Sequence, residues 1–329
     1  MLYASKFYEF SNSMGFAIPD IIANKRGMYH IRYIPKPNGK KRMICEPLGA
    51  LRELQEFIVT NLNGRYIEYP PGACAYIPGR GLKSHLQAHA KADFVVALDI
   101  KDFFPSCHPL LITEALRVNL KEEVDRRIPR SPGYHNKFLR DIAELCTFEG
   151  GLPQGAPSSP LLSNLVLKSF DTAMQHLGQA LMMNRTGPLS SIKSNSYTRY
   201  ADDILFSGRG DRIHAKEFFV NILEHVEEIL NTLGYMQLNY KKSQLVVRNE
   251  NRLLISNKFI VYNDGTLALT KRYCEHIEGQ LFHFAKDRKH LDEHILGKLS
   301  WVRHINMAQY VKLIKSYNSL VDKDYGRKL

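Results

Sequence analysis

Tyr197-Thr198-Arg199-Tyr200-Ala201-Asp202-Asp203-Ile204-Leu205-Phe206 reads as a strand, an acidic turn and a second strand. The two adjacent acids sit between apolar flanks, Tyr197 on one side and Ile204-Leu205-Phe206 on the other. Neighbouring carboxylates at a strand tip repel each other unless a cation lies between them. Upstream, Phe94-Val95-Val96-Ala97-Leu98-Asp99 is an apolar run that ends in a third acid, the pattern of a buried central strand with a polar tip. Placed on a neighbouring strand, Asp99 would complete an all-oxygen site with Asp202 and Asp203, the donor set that hard ions such as Mg²⁺ prefer. Such a site suits two-metal phosphoryl transfer, in which one ion activates a 3′-hydroxyl and the other holds a triphosphate and its leaving pyrophosphate. The plainer alternative is a solvated acidic turn.

Working outward, Lys216 to Leu233 predicts an amphipathic helix, and Val246-Val247 and Phe259 to Tyr262 predict further strands. The Gly/Pro/Ser-rich stretch Leu152 to Ser159 leads into a predicted helix over Leu161 to Leu177. Leu110 to Val124 predicts another helix, followed by a Pro-containing loop through Arg127 to Tyr134, while Met182 to Asn195 reads as an exposed polar loop. His30 to Pro35, the turn Lys36-Pro37-Asn38-Gly39 and Arg42 to Cys45 predict a hairpin with a basic tip, and a helix over Leu51 to Leu62 follows it. From about Ala268 onward the chain reads as helical. Strands and helices mix without a regular βαβ repeat, so an α+β fold is favoured over a Rossmann-type sheet.

Composition narrows the class further. The 329 residues carry 45 Lys+Arg against 33 Asp+Glu, a formal net charge of +12, with 44% hydrophobic residues. That hydrophobic share excludes wholesale disorder. No apolar run is long enough for a membrane span, and Met1 to Ala17 lacks a signal-peptide pattern, so a soluble cytoplasmic protein with no membrane partner is expected. Cys45, Cys74, Cys107, Cys146 and Cys274 are odd in number, widely spaced and without a C-x-x-C, which favours buried thiols over disulfides or zinc. The excess positive charge is uneven: Ile22 to Glu46 holds seven Lys/Arg against one acid, and the segment from Ala268 holds 12 against 7. Basic clusters of this kind suit polyanionic partners.

Four stretches, taken in order, resemble the polymerase motifs of reverse transcriptases. Ala97-Leu98-Asp99-Ile100-Lys101-Asp102-Phe103-Phe104-Pro105-Ser106 is similar to motif A, and Leu152-Pro153-Gln154-Gly155-Ala156-Pro157-Ser158-Ser159-Pro160 to motif B in its bacterial form. Tyr200-Ala201-Asp202-Asp203 resembles motif C, and Leu238-Asn239-Tyr240-Lys241-Lys242-Ser243 resembles motif D. The resemblance runs from about residue 30 to the C-terminus. It implies a right-hand polymerase fold: fingers over 1–92 with the basic hairpin at about 30–46, and a palm over 93–265 built on an antiparallel ferredoxin-like sheet plus helices. A fingers segment would be inserted at about 115–150, and a helical thumb would span 266–329.

The same resemblance implies roles. Asp99, Asp202 and Asp203 would be catalytic and metal-binding, with two Mg²⁺ as cofactor and Mn²⁺ as a possible substitute. Lys242 would stand near the pyrophosphate as a general acid. Lys36 and Arg42 would grip the triphosphate from the hairpin, and the backbone at Ile100 and Lys101 would face it. Phe104 would block a 2′-hydroxyl and select dNTPs, with an ordinary core aromatic as the competing reading. Gln154 and Gly155 would lie against template and nucleotide, where glycine permits close backbone approach. Arg80, in Gly79-Arg80-Gly81-Leu82-Lys83-Ser84, reads as part of a basic loop near the template, because the phosphate-loop spacing is missing. Lys298, Trp301 and Arg303 would contact nucleic acid from the thumb. His85 and His89, spaced i,i+4, would need a third ligand to bind metal.

No RNase H, integrase or endonuclease domain is expected beyond the thumb. The compact size, the motif B form and Gly297-Lys298-Leu299-Ser300-Trp301 resemble retrons and related bacterial antiphage-defence reverse transcriptases. That implies a structured noncoding RNA as template, an RNA–DNA product, dNTPs as substrates and a possible effector protein; no oligomeric state follows from the sequence. Two retron patterns are altered. His85-Leu86-Gln87-Ala88-His89 keeps only the last residue of N-A-x-x-H, and Ile255-Ser256-Asn257 replaces V-T-G, with Asn able to hold the positive φ of glycine. A non-retron defence enzyme with its own noncoding RNA and a catalytically idle RNA-binding scaffold therefore stay open as alternatives.

Overall fold

In chain order, helices α1 (Ala4–Ser13) and α2 (Ile18–Asn24) precede the hairpin strands β1 (Tyr29–Pro35) and β2 (Lys41–Pro47). Helices α3 (Gly49–Leu62) and α4 (Leu82–Gln87) lead to β3 (Phe94–Asp99). Next come α5 (Phe103–Ser106), α6 (Pro109–Asn119), α7 (Pro132–Cys146), α8 (Ser159–Val166) and α9 (Lys168–Met183). The hairpin β4 (Ser194–Tyr200) and β5 (Asp203–Arg209) is followed by α10 (Ala215–Leu233) and β6 (Gln244–Val247). Strands β7 (Arg252–Ile255), β8 (Phe259–Tyr262) and β9 (Leu267–Leu269) precede α11 (Lys271–Lys286), α12 (Glu293–Ile305) and α13 (Met307–Tyr325). This computed structural model describes residues 4–35, 39–62, 67–120, 132–183, 186–256, 258–287 and 290–325.

The central sheet is antiparallel throughout, in the order β4-β5-β3-β6. Strand side chains alternate between faces, and here both faces are buried. Phe94, Val96, Leu98, Ile204 and Phe206 join one core with Phe170 and Met174 of α9 and Phe218, Ile222 and Val226 of α10. Val95, Ala97 and Leu205 join a second core, with Leu86 of α4, the β7-β8-β9 sheet and the helices from α11 to α13. A strand covered on both sides has no solvent face, which is why β3 reads as an uninterrupted apolar run. The outer edge of β4 is sealed by residues 72–74: the Arg199 N–H donates to the Gly72 carbonyl at 2.8 Å and the Cys74 N–H to the Arg199 carbonyl at 2.8 Å.

Several expectations shift in detail. The helix expected over Leu161 to Leu177 is two helices, because Leu167 leaves the helical conformation while staying fully buried. Part of the loop expected over Met182 to Asn195 is regular structure: α9 runs to Met183, a 3₁₀ turn spans Pro188–Ser191 and β4 begins at Ser194. Leu267–Leu269 is a strand, and the helices start only at Lys271, after Thr270. Cys45, Cys74, Cys107 and Cys146 are buried free thiols, as composition predicts, whereas the free thiol of Cys274 is half-buried. Among the described residues no helix is long and apolar enough to cross a membrane.

Candidate active site

The β3–β5 register sets Asp99 directly opposite Asp203, and Tyr200 pairs with Asp203 across the two-residue turn Ala201-Asp202. Three carboxylates thus meet at one end of the central sheet. Ala201 holds φ at +56, left-handed backbone that a residue with a Cβ adopts only under constraint. The constraint is Arg199, whose Nη1 donates to the Ala201 carbonyl at 3.1 Å. Arg199 is completely buried and grips Asp171 of α9 bidentately, at 2.8 Å through Nε and 2.7 Å through Nη2. Its Nη2 also donates to Asn164 Oδ1 at 3.1 Å, and the Tyr197 hydroxyl donates to Asp171 at 2.5 Å. The acidic turn therefore stands on a buried charge pair.

Asp99 is buried, with its Oδ1 2.5 Å from Lys242 Nζ and its Oδ2 accepting from Asn239 Nδ2 at 3.1 Å. Asp202 is half-buried, and Asp203, though exposed as a residue, lines the cavity beneath the site. Burial, the Asp202 charge and the Asp99 charge push the Asp203 carboxyl up to about 7. Burial raises Asp202 as well; its own backbone N–H offsets this, Asp99 adds to the rise, and Lys242 and Arg42 oppose it. For Lys242, burial opposes the charge, but the hydrogen bond and charge of Asp99, with Asp202 and Asp203 behind it, hold the ammonium above its ordinary range. Among the described residues no three of His, Cys, Asp or Glu converge into a ready-made metal cage. The donor chemistry nevertheless fits a hard divalent cation: only carboxylate oxygens, mutually repelling, with a lysine ammonium drawn to them. Beneath them lies a cavity of about 310 Å³ between sheet and β7–β8, lined by Asp99, Asp203, Lys242, Ser256 and Phe259 among others.

The fold brings other residues of the sequence reading to this rim. Arg42 is exposed on β2 and its charge acts on Asp202. Phe104 is half-buried, its ring 5.2 Å from Phe103 and 6.3 Å from Tyr76. Gln154 accepts the Cys45 N–H on its carbonyl at 2.7 Å, so the motif B loop is docked on the hairpin. Gly155, at φ +109, would place a Cβ 2.8 Å from Ile44 Cγ2, so the close approach it permits here is to β2. The Ile100 and Lys101 amides are not free to face a triphosphate: they donate to the Asp202 and Gln237 carbonyls at 3.0 and 2.9 Å. The Lys101 side chain is exposed. Lys36 lies outside the described residues.

Away from the rim, Arg80 spends its guanidinium on the Pro70 and Ala73 carbonyls at 2.7 and 2.9 Å, which corrects its reading as a template contact to that of a loop clamp. Lys298 donates to Gln280 of α11 at 2.9 Å. Trp301 is half-buried with Lys258 Nζ over its ring at 4.0 Å, and Arg303 is exposed beside the Tyr310 ring. His85 and His89 find hydroxyls, not metal: His89 bonds Ser207 and Thr198, each at 2.7 Å, and His85 Nδ1 bonds Thr198 at 2.8 Å. In the altered V-T-G stretch Ser256 holds a positive φ, at +53, and Asn257 lies outside the described residues. Sequence reasoning missed Tyr76 and the Asn164–Asp171–Arg199 cluster. An Arg two residues before an acidic turn carries no sequence sign of being buried.

A sequence profile of the reverse transcriptase (RNA-dependent DNA polymerase) family matches residues 34–256. The chain is 24% identical over 303 residues to the retron Ec86 reverse transcriptase of Escherichia coli, covering 91% of this chain and 83% of that protein. It is 25% identical over 315 residues to the retron Ec83 reverse transcriptase of the same species, covering 91% and 90%. Among solved structures, apo telomerase from Candida tropicalis superposes with a TM-score of 0.51 at 11% identity, over 90% of this chain and 58% of that one. At that identity the likeness concerns the fold, a right-hand polymerase.

Proposed function

We propose, for a chain that belongs to the reverse transcriptase family and is an RNA-directed DNA polymerase of the bacterial retron type, that Asp99, Asp202 and Asp203 are its catalytic carboxylates. In this reading the enzyme copies a structured noncoding RNA into DNA by two-metal nucleotidyl transfer, within a retron antiphage-defence system. The observation that supports it is the register that sets Asp99 opposite Asp203 with Asp202 in the adjoining turn. Asp99 and Asp202, with Asp203 beside them, would hold Mg²⁺ or Mn²⁺. Bound there, the ions would lower the pKa of a primer 3′-hydroxyl and neutralise the triphosphate.

The chain's own residues do the rest. Arg42 from the hairpin and the exposed Lys101 side chain would pair with phosphate oxygens, Arg42 through its planar fork. Lys242, held protonated by the carboxylates, carries at Nζ the proton that the leaving pyrophosphate would take. Phe104 would pack where a ribonucleotide carries its 2′-hydroxyl. Gln154 and Gly155, fastened to β2, would keep the hairpin over the nucleotide. Residues 1–92 would act as fingers, 93–265 as palm with an inserted segment at about 115–150, and 266–329 as thumb. Lys298, Trp301 and Arg303 would lie along the RNA–DNA duplex.

Mg²⁺-dependent dNTP incorporation on the co-purified RNA tests this reading, with Asp202→Asn and Asp203→Asn as controls. Equal incorporation by wild type and the double variant would sink it. Sequencing the product tests the finer claim: a branched RNA–DNA species supports the retron assignment, and long repeat DNA favours a non-retron defence enzyme.

A further inference from the structure

Among the described residues, Tyr76 is one of six non-glycine residues with positive φ, at +59. Tyrosine pays for that conformation with strain, and strain persists only where the surroundings over-determine it. Here they do. The Ala75 carbonyl accepts Asn164 Nδ2 at 2.8 Å, inside the same cluster that holds Arg199. The Cys74 N–H donates to the Arg199 carbonyl, and Arg80 clamps the Ala73 carbonyl. The network that shapes the acidic turn at Ala201 thus also fixes the direction in which Tyr76 leaves the backbone.

That direction is outward and toward the site. The Tyr76 residue is 46% exposed, although Ala73, Cys74 and Ala75 before it are buried. Its ring stands 6.3 Å from the Phe104 ring at an interplanar angle of 50°. Burial raises its hydroxyl most, the Asp202 and Tyr200 charges raise it further, and the Arg199 and Arg42 charges oppose them, so it lies within electrostatic reach of the acidic turn and the hairpin. Among the described residues no hydrogen bond engages that hydroxyl. An aromatic side chain held in a strained conformation, half in water, beside the Phe104 ring next to the acidic turn is badly placed for stability and well placed for a ligand.

We infer that Tyr76 is a specificity-determining residue, forming with Phe104 a two-ring apolar wall against the sugar of the incoming nucleotide. The inference rests on the reading of this rim as the nucleotide site. An apolar wall accepts a deoxyribose C2′ and leaves a ribose 2′-hydroxyl desolvated without a partner, so removing half the wall weakens binding and discrimination together.

Steady-state incorporation of dNTPs and rNTPs by Tyr76→Phe, Tyr76→Ala and Tyr76→Gly tests it. Tyr76→Phe keeps the ring and is expected to keep both KM and discrimination. In Tyr76→Ala the KM for dNTPs rises about tenfold and preference over rNTPs falls about tenfold. Tyr76→Gly accepts the left-handed backbone freely, so it is expected to melt at or above the wild-type temperature while showing the kinetic defects of Tyr76→Ala. Wild-type KM and discrimination in both ring-less variants would overturn the inference, with polymerisation still abolished by Asp202→Asn. A wild-type protein that incorporates no nucleotide would overturn the site reading and this inference with it.

Discussion

Lys242 Nζ lies 2.5 Å from Asp99 Oδ1, so the chain's own cation stands at a carboxylate that the site would offer to a metal ion. The pair joins β3 to the segment after α10, far apart in sequence, and it reflects how strongly three clustered acids draw positive charge.

Replacing Lys242 with Met separates two effects of that pairing. Without the competing ammonium, Mn²⁺ binding followed by electron paramagnetic resonance is expected to tighten several-fold. Incorporation is expected to fall by about 10²–10⁴ through loss of a proton donor. Unchanged Mn²⁺ affinity would mean that Lys242 does not compete with metal for Asp99.

Arg199 and Asp171 are 0% and 1% exposed, so removing one leaves the other charged and unpaired in the core. Arg199→Met is expected to cost about 3–5 kcal/mol in urea unfolding, whereas Arg199→Met with Asp171→Leu costs less. Both variants lose the donor to the Ala201 carbonyl, so both are expected to polymerise poorly even where folded. A double variant with full activity would show that the turn keeps its shape unaided.

Gly151 couples motifs A and B through close packing. A Cβ there would sit 2.1 Å from the Pro105 carbonyl oxygen, and the adjacent Leu152 N–H donates to the Phe104 carbonyl at 2.9 Å. Gly151→Ala is expected to destabilise by about 1–3 kcal/mol or more, because the obstacle is backbone. Gly279→Ala, in open space on α11, is expected to gain about 0.5–1 kcal/mol by the same unfolding measurement.

Burial holds the His89 imidazole down to about 3, and burial with the charges of His89 and Arg199 lowers His85 well below its usual range. Both therefore stay neutral in the folded protein at pH values where the unfolded chain takes up protons. Stability is unaffected above about pH 6.5 and falls below it by up to about 1.4 kcal/mol per pH unit for each histidine. For His89 the loss continues toward about pH 3. Urea midpoints between pH 7.5 and 5 should record this slope, and His89→Gln should reduce it; an unchanged slope in that variant would assign acid sensitivity elsewhere.

Much of the palm was legible because its signals are local. Phe94 to Asp99 announces a doubly covered strand through its unbroken apolar run, and Tyr197 to Phe206 announces a hairpin through two apolar flanks around an acidic pair. The pairing of β1 with β2 is announced by two strand-like runs on either side of Lys36-Pro37-Asn38-Gly39, a turn signal in the sequence. Hidden features depend on distance in sequence. The β7 strand has only four residues and β9 three, too short for a periodic pattern, and both exist because α11 to α13 need an apolar sheet beneath them. Arg80 reads as part of a basic loop and Trp301 as a thumb contact, and the carbonyls that meet the one and the lysine over the ring of the other are brought near by the fold alone.

By itself, then, the sequence determined the three acids, their places at strand tips and the family they resemble, because alternation and turn chemistry act over a few residues. Only the tertiary structure decided that Asp99 faces Asp203, that Lys242 reaches Asp99, and that a buried Arg199 holds both the acidic turn and the segment carrying Tyr76. Apart from the hold of Arg199 on Ala201, two positions away, those relationships join residues about 100 to 140 positions apart, and strand register, helix docking and the pairing of buried charge set them once both faces of the sheet are covered.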